Sequence, residues 1–123
     1  MFPFLEASEQ RLRWMGALVE SEPLHQGRFR DIFEDHGQLI ELDAEVERRE
    51  APRLLVVRLR GTAFEATSTQ RLEEAGEGTR LSTVVETEYT SRLAKLAGPL
   101  VTRRAQRQLE ADLTALKELV EGN

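Results

Sequence analysis

From Val19 to Tyr89 the chain alternates apolar and polar side chains with a period of two, and only short clusters of turn-forming residues interrupt it. That period sends successive side chains to opposite faces of a strand, so the whole stretch is read as β-structure. Turn chemistry falls at His25–Gly27, His36–Gln38, Glu50–Arg53, Gly61–Ala63 and Ala75–Thr79. It marks out six strands near 19–24, 28–35, 39–48, 53–60, 64–73 and 79–90. A parallel crossover needs about a dozen residues or more, and none of these connections has them. The strands must therefore follow one another as an antiparallel meander.

Such a sheet has to bury its apolar face against something. Leu100, Ala105, Leu109, Leu113, Leu116 and Val120 recur at steps of three to five residues, with charged residues between them, which predicts an amphipathic helix. Pro99 suits a helix's first turn and Gly122 its end, so the C-terminal helical segment 91–121 is expected to break near Gly98–Pro99. The part after the break is about 33 Å long at roughly 1.5 Å per residue, the width of a small domain. Leu5, Leu12, Met15 and Leu18 predict a short helix over 5–18, ended by Gly16. The expected fold is α+β, a single domain over 1–123, with a meander at 19–90 covered by the C-terminal helix.

Alternation assigns the faces. On the third strand Ile40, Leu42, Ala44 and Val46 oppose Glu41, Asp43, Glu45 and Glu47, so the apolar set points inward. On the fourth, Leu55, Val57 and Leu59 point inward while Arg58 and Arg60 face outward, where acids of the neighbouring strand are expected to pair with them. The fifth strand sends Phe64, Ala66, Ser68, Gln70 and Leu72 inward, and the sixth sends Leu81, Thr83, Val85, Thr87 and Tyr89. Phe29, Asp31 and Phe33 share a face of the second. An inner face carrying Asp31, Ser68, Gln70, Thr83, Thr87 and Tyr89 is too polar for a dry core, because an unpartnered buried polar group costs about 1–3 kcal/mol. These groups either pair with one another or line a wet cavity.

Composition removes several classes of chemistry. The net charge of −5 offers no field attractive to nucleic acid. The absence of cysteine excludes disulfides, thiolate metal sites and thiol nucleophiles, and two histidines, His25 and His36, both in turns, are too few for a histidine metal site. No metal and no cofactor is expected. No apolar run approaches the roughly 20 residues of a membrane span, and Met1–Leu5 lacks the pattern of a signal peptide, so a cytoplasmic location is expected. Arg92, Lys95, Arg103, Arg104 and Arg107 form the one basic cluster, which suits peripheral contact with anionic lipid headgroups.

Several pieces in order resemble the START-like, or SRPBCC, superfamily in its polyketide cyclase/dehydrase branch. They are Trp14, Leu42-Asp43-Ala44-Glu45-Val46 with Pro52-Arg53-Leu54, Gly78-Thr79-Arg80, and Gly98-Pro99-Leu100 with Arg103-Arg104. The resemblance implies a helix-grip fold, a curved sheet wrapped around the terminal helix with a cavity for an apolar ligand between them. It implies functions from lipid and hormone binding to cyclisation and chaperone regulation, so fold alone does not assign one. It also implies an edge strand and a short helix ahead of residues 5–18, where only Met1–Phe4 stand. Strand 79–90 is then expected to have an open edge, covered by a second subunit in a homodimer, by the N-terminal residues or by further sequence.

These considerations lead to binding of an apolar or aromatic small molecule or lipid. The expected ligand contacts are Phe29, Phe33, Leu42, Ala44, Leu55, Val57, Leu59, Ser68, Gln70, Thr83, Val85, Thr87, Tyr89, Leu100, Ala105, Leu109 and Leu113. The alternatives are a cyclase- or dehydratase-like enzyme using Asp31, Gln70 or Tyr89 for proton transfer or orientation, and an interaction module using the open edge. Asp31, between two phenylalanines, is either such a base or a carboxylate that is solvated or paired with an arginine. Trp14 is expected to be a packing residue.

Overall fold

A computed structural model describes the backbone of residues 2–35, 37–62, 64–76, 78–89 and 92–121, and within the last segment the side chains of 103 and 106–121. Two short helices, α1 (Phe2–Glu6) and α2 (Ser8–Trp14), precede six strands: β1 (Leu18–Pro23), β2 (Arg28–Asp35), β3 (Gln38–Glu50), β4 (Leu54–Arg60), β5 (Phe64–Ala75) and β6 (Gly78–Tyr89). Helix α3 (Arg92–Glu121) closes the chain. The strands form one antiparallel sheet in the order β1-β2-β3-β4-β5-β6, with β1 and β6 at its edges. The meander expected from the alternation is present strand for strand.

Local chemistry sets its register. Gly37 and Gly76, with φ of 81° and 62°, supply the left-handed backbone that tight hairpins require. Register slips between Val46 and Arg48 on β3, a bulge that coincides with a hydrogen bond from the Val46 N–H to the Gly27 carbonyl at 2.9 Å. Between β4 and β5 the chain passes so close to Leu42 that a Cβ on Gly61 would lie 2.8 Å from its Cδ2. Glycine is what this crossing tolerates.

Leu42, Ala44, Leu55, Val57, Ala66 and Leu72 are buried as the alternation requires. Phe2, Leu5, Trp14 and Leu116 complete the core, so α1, α2 and the C-terminal half of α3 together cover the sheet. Outside, Arg58 reaches Glu47 at 3.5 Å and Glu65 at 3.3 Å, and Arg30 joins Glu22 and Glu41. The hydrogen bond with Glu65 holds the Arg58 guanidinium above the ordinary arginine value, and Glu22 does the same for Arg30.

Three expectations need correction. The segment 5–18 is two helices separated at Ala7, and Leu18 already belongs to β1. On α2 it is Arg11 that faces inward, whereas Leu12 is 40% exposed. Helix α3 runs unbroken through Gly98 and Pro99; Pro99 is its eighth residue, past the first turn, so the helix continues although proline there removes one intrahelical donor. Leu54, on the outward face of β4, is nevertheless buried. The side chains of Leu100 and Ala105, the basic side chains of Arg92, Lys95 and Arg104, and residues His36 and Gly122 lie outside the described set.

Candidate ligand-binding site

The inner face of the sheet carries a polar row among apolar ones. In register across β4, β5 and β6, Leu55 faces Gln70 and Gln70 faces Thr83, while Val57 faces Ser68 and Ser68 faces Val85. Above these rows sit α2 on one side and Leu109 and Asp112 of α3 on the other. Between them remains a cavity of about 150 Å³, whose apolar wall includes Leu5, Trp14, Met15, Phe29, Phe33, Val46 and Leu59. Its polar groups are Ser68, Gln70 and Thr83 from the sheet, Arg11 and Asp31 at one side, and Glu6 and Asp112.

Each charged group has an identifiable partner or lacks one. Asp31 is wholly buried, and Arg11 is only 7% exposed. The Arg11 guanidinium donates to both carboxylate oxygens of Asp31, the Nη1 bond to Oδ1 measuring 3.3 Å. Ser21 donates to the same Oδ1 at 2.7 Å and accepts from the Ser8 hydroxyl at 2.9 Å. The guanidinium also lies 4.7 Å from the centre of the Phe29 ring. Such a bidentate pair fixes geometry as well as neutralising charge. Glu6 accepts from Arg49 at 2.9 Å. Asp112 accepts from the Gly16 N–H at 2.8 Å and from Gln108 Nε2 at 2.7 Å, both on Oδ1, and no cationic side chain pairs with it among the described residues.

One polar atom of the wall is left over. The Thr83 hydroxyl oxygen is buried and has no hydrogen-bond partner among the described residues. Trp14, by contrast, is satisfied: its indole N–H donates to the Phe4 carbonyl at 2.8 Å, the packing role expected of it.

A family model described as polyketide cyclase / dehydrase and lipid transport matches residues 1–121. The chain belongs to that family. Two solved structures share the fold. A protein from Rhodobacter sphaeroides is 20% identical with a TM-score of 0.74, over 98% of this chain and 82% of that one. A protein from Deinococcus radiodurans is 19% identical with a TM-score of 0.67, over 99% of this chain and 88% of that one. No curated protein sequence gives a significant match.

Within this member of the family, ten of the expected contacts line the cavity together: Phe29, Phe33, Leu55, Val57, Leu59, Ser68, Gln70, Thr83, Val85 and Leu109. Leu42 and Ala44 are buried beside it without lining it, and Thr87 and Tyr89 stand further along β6. Leu113 instead borders a second concavity, of about 480 Å³, between the start of β6 and the C-terminal end of α3. Of the catalytic candidates, Asp31 and Gln70 reach the cavity and Tyr89 does not. Sequence reasoning missed Arg11 and Asp112. Asp112 had left a signal: it lies three residues after Leu109 and four before Leu116, inside the apolar stripe of α3. Among the described residues no helix is long and apolar enough to cross a membrane.

Proposed function

We propose that the protein binds a small apolar or aromatic molecule between the sheet and α3, without covalent chemistry. The observation that carries this is the Thr83 hydroxyl, buried in the cavity wall with no hydrogen-bond partner among the described residues. A polar atom left so costs about 1–3 kcal/mol, which a ligand with one suitably placed polar atom would remove. The size of the cavity supports a ligand of roughly one aromatic ring, because a dry protein cavity of about 150 Å³ accommodates benzene. The binding reading is favoured over proton transfer because the carboxylate of Asp31 is already engaged by Arg11 and Ser21, while Gln70 does not titrate. Calorimetry with single-ring aromatics and with fatty acids tests the proposal. Stoichiometric binding of the rings, lost in a folded Val57→Arg variant, is expected; a folded protein that binds neither class overturns it.

A second reading concerns the β6 edge, which has β5 as its only strand neighbour among the described residues. Its residues Val84 and Val85 are 54% and 46% exposed. We infer that a second copy of the chain covers this edge. Antiparallel pairing of two β6 strands centred on Val84 sets Arg80 opposite Glu88 and Ser82 opposite Glu86, so the strand is charge-complementary to itself. It also relieves Glu88, which faces Glu65 within the sheet. Light scattering on the purified chain should give a dimer that Val84→Lys dissociates. A strict monomer at high concentration excludes this pairing.

A further inference from the structure

We propose that the cavity selects a small aromatic bearing a protonated amine, which the carboxylate of Asp112 receives. This rests on the cavity being a ligand site, and it goes further by naming what the ligand carries.

The charges around the cavity do not cancel. Arg11 and Asp31 neutralise each other, and Glu6 is met by Arg49. Among the described residues Asp112 has only neutral donors, the Gly16 N–H and the Gln108 amide, and both use Oδ1. One negative charge therefore stands in the wall with no cationic partner among the described side chains, on a residue only 7% exposed. A buried carboxylate without a counter-charge is costly, and a charged partner inside the cavity offsets that cost. Among the described residues no donor reaches Oδ2, which leaves that atom to provide the contact. The remaining sheet-side polar groups, Ser68, Gln70 and Thr83, all carry an acceptor oxygen, so donors on the ligand have further partners. The aromatic body would lie against the apolar wall built from Val57, Leu59 and Phe33.

A purely structural role for Asp112 also has a physical basis, since its Oδ1 ties the connection before β1 to α3. Asp112→Asn separates the two roles. Asparagine keeps the Oδ1 acceptor for Gly16 and Gln108 but replaces Oδ2 with a donor that repels an ammonium group.

The experiment measures affinities of the wild-type chain for benzylamine, ethylbenzene and benzoate at neutral pH by calorimetry, then repeats them on Asp112→Asn. Benzylamine should bind roughly ten- to a hundredfold more tightly than ethylbenzene, the range of a hydrogen bond to a charged group, and benzoate more weakly than either. In Asp112→Asn the ratio of benzylamine to ethylbenzene affinity should fall to about one. Ethylbenzene binding as tightly as benzylamine to the wild type overturns the inference and leaves the binding proposal standing. Failure of all three ligands to bind overturns both. The wild-type comparison decides the matter even if the variant does not fold, and an amine preference that survives in a folded Asp112→Asn variant removes Asp112 as its source.

Discussion

Replacing Arg11 by methionine should be among the most damaging single changes in the molecule. Asp31 is fully buried, and the guanidinium engages both of its oxygens. Truncating one partner of a buried ion pair leaves the other uncompensated and costs about 3–5 kcal/mol. The lost contact of the guanidinium with the Phe29 ring, 4.7 Å from its centre, adds to the cost, since such contacts are worth about 0.5–2 kcal/mol. At this chain length the sum lowers the melting temperature by roughly 10 °C or more. Asp31→Leu, which is nearly isosteric, should cost less, because the longer arginine can swing its charge toward water. The double variant should recover most of the loss: both charges are gone, apolar replacement of a buried pair is often close to neutral, and Ser21 keeps its bond with Ser8 at 2.9 Å. Urea unfolding of the four proteins gives the coupling energy directly, expected to be about 2 kcal/mol or more. A loss below about 1 kcal/mol for Arg11→Met, or a double variant as unstable as the sum of the singles, would refute this account of the pair.

Other outcomes follow from the same structure. Leu116 is 1% exposed, at the point where α3 meets α1, α2 and the sheet, so Leu116→Ala should cost about 2–5 kcal/mol in chemical denaturation. Gly61→Ala should lower stability by about 1–3 kcal/mol through overpacking, because its Cβ would meet the buried Leu42 at 2.8 Å. The arginines of the outer face should make no contribution to pH dependence near neutrality. Arg30 and Arg58 are shifted upward, so what they add is fully present below the ordinary arginine value and is lost only in strong alkali. Urea midpoints of the wild type and Arg58→Ala should accordingly differ by the same amount at about pH 7 and at about pH 9.

The sheet was legible in the sequence because its period of two persists through six strands and each face declares itself several times over. Even the misfit polar residues Ser68, Gln70 and Thr83 could be placed on the inner face, since their neighbours left them no other side. Arg11 was not legible. A helix of seven residues makes barely two turns, too few for a period to outvote the assumption that Leu12 is the buried member. Only Asp31 pointed to it, as an inward acid in need of a cation. The unbroken helix at Gly98–Pro99 was not legible, because proline suits a helix's first turn and disfavours its interior, so a start at Pro99 is the natural reading; α3 instead begins at Arg92 and carries Pro99 as its eighth residue. Asp112 was passed over because an acid in an apolar stripe looks like a solvated exception until the backbone of Gly16 is brought against it.

The claim on which the rest depends is that the cavity beneath α3 is where a small molecule goes. Titrating isotope-labelled protein with ethylbenzene, and following amide and methyl resonances, tests it most directly. Saturable shifts centred on Leu55, Val57, Gln70, Thr83 and Leu109 are the predicted result. Shifts confined to Thr79, Leu81, Leu113 and Val120 would place the ligand in the second concavity instead, and the absence of any saturable shift would contradict the account outright.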